Sequence, residues 1–125
     1  MDINNNQSSK KVQTAVLFLI FNRPETTKKV FEIIRKVKPK KLYVAADGPR
    51  DHKIGEEIKI SEVREIATNI DWPCEVKTLF RDKNLGCKKA ISQAINWFFD
   101  HEEQGIILED DCLPNEDFFF YSENL

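Results

Sequence analysis

Three carboxylates stand in a row at Glu109, Asp110 and Asp111, directly after the apolar run GIIL that begins at Gly105. Side chains alternate along an extended segment, so Glu109 and Asp111 are expected on one side and Asp110 on the other. Like charges this close raise one another's pKa unless a cation neutralises them. Hard oxygen ligands suit Mg²⁺ or Mn²⁺, and Mg²⁺ is commonly held by one or two carboxylates plus substrate phosphates. The chemistry this run could do is therefore to hold a divalent metal against a phosphate-bearing ligand. The plainer alternative is a solvated loop that caps a helix after Pro114. A single aspartate would fit that alternative; three emerging from GIIL favour function.

A second group could meet the phosphates. Arg81, Lys83, Lys88 and Lys89 flank Asn84-Leu85-Gly86, and a helix that starts after a glycine offers free N–H groups and a positive dipole end. The competing reading is a glycine turn beside a solvated lysine face. Asp47-Gly48 is either a simple turn or an acceptor for a base N–H or a ribose hydroxyl, and Asn22-Arg23 stands similarly. Neither GxGxxG nor GxxxxGK[ST] occurs, which excludes a dinucleotide fingerprint and a P-loop. His52 and His101 are lone and read as surface residues. Cys74, Cys87 and Cys112 have no histidine partner or framework spacing, and read as reduced thiols in a cytoplasmic protein.

Alternating strands and helices would position these groups. VLFLIF from Val16 is a continuous apolar run, the mark of a strand covered on both faces. After Asn22-Arg23-Pro24 the period changes, and Val30, Phe31, Ile33, Ile34 and Val37 form a helical stripe over Glu25 to Val37, with Pro24 suited to the first turn. KLYVAA from Lys41 is a second strand. Ile58, Val63, Ile66, Ala67 and Ile70 mark a second helix. CEVKTLF from Cys74 alternates like a strand nearer an edge. Cys87, Ala90, Ile91, Ala94, Ile95, Phe98 and Phe99 repeat at threes and fours as a third helix. GIIL is the fourth strand, and a further helix is expected from Pro114. Phe98, Phe99, Phe118, Phe119 and Phe120 are assigned to the core.

This alternation predicts an open α/β sheet of four mainly parallel, Rossmann-like strands joined by right-handed crossovers. Ligands of such sheets sit outside the carboxyl ends of the strands. Each of the four strand ends carries polar or charged residues, and that convergence says more than any one motif. The 125 residues suit one domain, with hydrophobic content of 41% and charged content of 32%. A net charge of −2 gives no general attraction to nucleic acid or anionic membrane. The longest apolar run is too short to span a bilayer. Residues 1–11 are polar and unpatterned, and read as a disordered tail.

The order VLFLIFNRPETTKKVFEII, ADGPR, RDKNLGCKKAISQAINWFF, GIILEDDCLPNEDFF resembles the amino-terminal half of GT-A glycosyltransferases, nearest the N-acetylglucosaminyltransferase I type and related family 2 enzymes. The resemblance runs from about Val12 to Leu125, with Glu109-Asp110-Asp111 in place of the usual Asp-x-Asp. It implies transfer of a sugar from a nucleotide-diphosphate sugar, a UDP-sugar, to a hydroxyl acceptor with Mn²⁺ or Mg²⁺. It assigns Asp111 to the metal, Glu109 and Asp110 to the ribose and donor sugar, and Asp47 to the uracil, with Arg23 bordering the base pocket. The nucleotide set is Phe21, Asn22, Arg23, Asp47, Gly48, Arg81, Asn84, Gly86 and Lys88. Full GT-A domains are longer, so residues 12–125 are expected to be the nucleotide-sugar-binding half of one. The catalytic base is then expected beyond Leu125, the chain alone is expected to be inactive, and exposed edges or aromatics invite a homodimer. The alternatives are a metal-dependent phosphoryl-transfer domain, which normally places an aspartate where Asn22 stands, and a non-catalytic nucleotide-binding or interaction module.

Overall fold

A computed structural model describes residues 13–111. The elements run β1 (Val16–Ile20), α1 (Pro24–Val37), β2 (Lys41–Ala46), α2 (Glu56–Ala67), β3 (Glu75–Phe80), α3 (Cys87–Phe99) and β4 (Ile106–Glu109). The four strands form one open sheet in the order β3-β2-β1-β4, and every neighbouring pair is parallel. The fold is thus a Rossmann-like α/β sheet flanked by three helices. The tail at 1–11, Cys112, the helix expected from Pro114 and its aromatics lie outside the described residues.

The sheet order follows from the strand sequences. All five residues of β1 are buried, as are the last five of β2, and these two strands hold the centre. β3 has no fully buried residue and is an edge strand, as its alternation predicts. β4 is the other edge: Ile106 and Leu108 are buried, while Ile107 is 37% exposed. Period-two alternation then divides the core. Val16, Phe18, Ile20, Leu42 and Val44 pack with α1 and α2. Leu17, Leu19, Tyr43 and Ala45 pack with Ala94 and Phe98 of α3.

The helices differ in part from expectation. Pro24 opens α1, where a missing N–H costs nothing, and Lys38 closes it in the left-handed region at φ 49°. α2 buries Glu56, Ile60, Val63 and Ala67. The expected stripe is therefore corrected at its ends: Ile58 is 69% exposed, and Ile70 lies beyond the last turn. The helix is rotated so that its first residue, an acid, faces inward. In α3, Phe99 is 43% exposed and Cys87 is exposed, so neither is core; Ala94 and Phe98 carry the packing. At the far end of the sheet, the Tyr43 hydroxyl donates to Glu102 Oε2 at 2.5 Å and Lys41 Nζ reaches the same oxygen at 3.3 Å, tying the segment after α3 to β2.

Candidate functional site

Because all four strands are parallel, their carboxyl ends share one edge, and the connections leaving them enclose a cleft of about 450 Å³. Its floor is apolar, made by Leu19, Ala45 and Leu79 of the sheet and Ala90, Ile91 and Ala94 of α3. Its rim is polar. Of the residues expected at a site, Phe21, Asn22, Arg23, Asp47, Arg81, Asn84, Gly86, Glu109, Asp110 and Asp111 all line it. Gly48 and Lys88 do not line it. Lys88 is exposed on the first turn of α3. Gly48 lies where two loops meet: a Cβ there would come within 2.6 Å of the Lys83 backbone.

Asp47 is the knot that ties those loops. Its residue is 9% exposed. Oδ1 accepts from the N–H of Gly48 and of Leu85, both at 2.8 Å. Oδ2 accepts from the Gly86 N–H and from Asn84 Nδ2, both at 3.1 Å. A carboxylate has about four lone-pair directions, and the chain itself fills them. The aspartate expected at the uracil therefore sits in the cleft wall, but as the anchor of the segment from Asn84 to Gly86 rather than as an open acceptor. Arg64 reinforces the same junction: its Nη2 donates to the carbonyls of Asp47 at 3.2 Å and Arg81 at 2.7 Å, and its guanidinium lies over the Phe80 ring. Gly86 takes φ 93°, readily adopted only by glycine, and delivers the chain into α3 with no side-chain cap. The first N–H groups of α3 thus open at the cleft beside Gly86 and Cys87.

A second knot joins β1 to α2. Glu56, 5% exposed, accepts from the Arg50 backbone N–H at 2.8 Å, from Arg50 Nε at 3.1 Å, from Arg50 Nη2 and from Asn22 Nδ2 at 2.9 Å. Arg50's guanidinium, more than burial can oppose, holds the Glu56 carboxyl down at about 2. Arg50 also lines the cleft and lies over the Phe21 ring, 5.5 Å from its centroid. Sequence reasoning missed Arg50, Glu56 and Arg64. Arg50 stands in ADGPR at a strand end and was findable by position. Glu56 carried no signal, since its partners are set by the rotation of α2.

The acidic turn forms the opposite lip. β4 ends at Glu109 and the chain turns through Asp110 and Asp111. The alternation expected of an extended run therefore stops at Glu109. The Asp110 N–H donates to the Leu19 carbonyl at 3.0 Å, and Asp110 Oδ2 accepts from the Phe21 N–H at 3.2 Å. Burial pushes the Asp110 carboxyl above the usual aspartate range; the Phe21 bond and Arg23 oppose the rise, while Asp111 and Glu109 add to it. Asp111 faces Arg23 at 3.9 Å, with both side chains more than half exposed, so the pair is weak. Among the described residues, no three His, Cys, Asp or Glu side chains form a metal-holding group. The oxygen donors at this lip are the carboxylates of Glu109, Asp110 and Asp111, a type of donor that a hard ion such as Mg²⁺ accepts when ligand phosphates complete its shell. No helix among the described residues is long and apolar enough to cross a membrane. Compared with known proteins, the chain matches no family model and no curated protein, so its reading rests on the residues and geometry of this cleft.

Proposed function

We propose that the cleft binds a nucleotide-diphosphate sugar, a UDP-sugar, with Mg²⁺ or Mn²⁺, and that it is the donor site of a glycosyltransferase acting on a hydroxyl acceptor. The observation that carries this reading is the convergence of three different loops on one hollow. These are an aromatic and polar segment after β1, a glycine loop running into a helix N-terminus after β3, and a carboxylate turn after β4. The volume, about 450 Å³, falls in the range of small-molecule sites. An apolar floor with a few polar groups suits a nucleoside, while the N-terminus of α3 suits its diphosphate.

The roles divide among the chain's own groups. Asp111, exposed at this lip beside Arg23, holds the metal. Glu109, in register with Leu19 at the end of β4, faces the ribose and sugar. Asp110 is engaged by Phe21 and fixes the turn against β1. Arg23 borders the base. Asp47 keeps Asn84, Leu85 and Gly86 in place for the phosphates. A bound divalent ion supplies Lewis-acid neutralisation of the charge that grows on the departing diphosphate. The acceptor hydroxyl needs a general base, and none of the described residues is assigned to it. A phosphoryl-transfer reading is weaker, since Asn22 follows β1 and the aspartate after β2 is filled by its own loop.

Titration of the isotopically labelled chain with UDP and Mg²⁺ tests the proposal by NMR. The amides of Phe21, Arg23, Leu85, Gly86 and Asp110 are expected to shift together, with Tyr43 and Glu102 at the far end unchanged. Shifts confined to surfaces outside the cleft, or none at millimolar UDP, would refute it.

A further inference from the structure

Arg50 has an arrangement that the proposed donor site does not yet use. A guanidinium already matched by a carboxylate has less net charge to offer a phosphate. Arg50 instead has its backbone N–H, Nε and Nη2 all taken by Glu56, which is itself nearly buried and also holds Asn22. Its charge is matched within the chain. Among the described residues, what remains is Nη1 and the flat guanidinium face. The guanidinium carbon lies over the Phe21 ring, 5.5 Å from its centroid. The side chain is 36% exposed and lines the cleft, as Phe21 does.

We infer that Arg50 is a stacking surface for the nucleobase, and that Glu56 is the positioning residue that holds it flat. This rests on the nucleotide reading of the cleft and names the group that recognises the base. The Phe21 ring, the guanidinium plane and the base form one stack at the mouth. Guanidinium planes stack on π faces, and an ammonium lacks the plane. Because Glu56 fixes both ends of Arg50, little side-chain freedom remains to be lost when a base arrives. Stacking of this kind tolerates different bases, so the surface contributes affinity for the nucleoside while the identity of the base is read elsewhere.

The test compares wild type, Arg50→Lys, Arg50→Ala and Glu56→Gln for binding of uridine, UDP with Mg²⁺, and inorganic pyrophosphate with Mg²⁺, at low and high ionic strength. Melting curves first confirm that each variant is folded, and Arg50→Lys keeps the charge if the others are not. Arg50→Lys is expected to weaken uridine and UDP by the same factor, about tenfold for the loss of one stacking partner. Pyrophosphate affinity is expected to be unchanged, and the uridine loss to be independent of salt. Glu56→Gln is expected to weaken uridine by a smaller factor, again without affecting pyrophosphate. Uridine binding to Arg50→Lys as tight as to wild type would overturn the inference. So would a loss confined to pyrophosphate, which would make Arg50 a phosphate contact, or a wild type that binds no nucleoside. A wild type that binds uridine but gains nothing from the diphosphate and metal would refute the donor-site reading while leaving the stacking surface standing.

Discussion

Asp47→Asn is the sharpest test of how the cleft is assembled. The wild-type carboxylate accepts four hydrogen bonds, two at each oxygen. An asparagine of the same shape keeps one oxygen. The better orientation leaves that oxygen with Gly48 and Leu85, where both distances are 2.8 Å. Its NH₂ then faces two donors, the Gly86 N–H and Asn84 Nδ2. Asn84 can flip its amide and accept, but then gives up its 2.9 Å bond to the Gly48 carbonyl. The Gly86 N–H has no side chain to turn to, and only the cleft beside it offers water in part. Leaving a buried donor unsatisfied costs about 1–3 kcal/mol, and bonds to a charged group are the stronger kind. With partial exposure of the loop, the sum comes to about 2–3 kcal/mol. For a chain of this size that lowers the melting temperature by about 10 °C. Circular dichroism gives the melting temperature, and amide exchange gives the location. Leu85 and Gly86 should lose protection while β1 and β2 keep theirs. A variant that melts within about 2 °C of wild type, with Leu85 and Gly86 still protected, would refute the view that Asp47 anchors this loop.

Two further outcomes follow from the same geometry. Gly48→Ala places a Cβ 2.6 Å from the Lys83 backbone, which must move, so the urea midpoint should fall by the equivalent of about 1–3 kcal/mol. Glu56 has a folded pKa of about 2 against 4.5 in its unperturbed state, so its stabilisation is fully present above about pH 4.5 and is lost as pH falls toward 2. Glu56→Gln should therefore be less stable than wild type at neutral pH, with the difference shrinking across that acid window; a constant difference would show that the ion pair is not responsible.

Much of this architecture is legible in the sequence itself. The unbroken apolar runs of β1 and β2 marked central strands, the alternation of β3 marked an edge, and parallel topology then placed every strand-end motif at one rim. What escaped depended on rotation and on bond partners. The stripe through Ile58 looked like a helix face, yet α2 turns so that Glu56 and Ile60 face inward, because Glu56 can match Arg50 there. Asp47 was visible as an acid at a strand end, but no sequence pattern shows that its four acceptor positions are filled by its own loops. Lys88 carries its charge close behind a glycine, but its position on α3 takes it away from the cleft wall. The alternation of Glu109, Asp110 and Asp111 assumed an extended backbone, and the turn after β4 ended that premise.

The proposed role of the acidic turn, holding a divalent ion for a nucleotide diphosphate, is read most directly by calorimetry of UDP with Mn²⁺ and with EDTA, on wild type and Asp111→Asn. UDP binding is expected to require Mn²⁺ in wild type and to vanish largely in Asp111→Asn, while the metal-free melting temperature of the variant stays at or slightly above that of wild type, since one of three neighbouring negative charges is gone. UDP affinity unaffected by EDTA, or Asp111→Asn binding Mn²⁺ and UDP as wild type does, would contradict it.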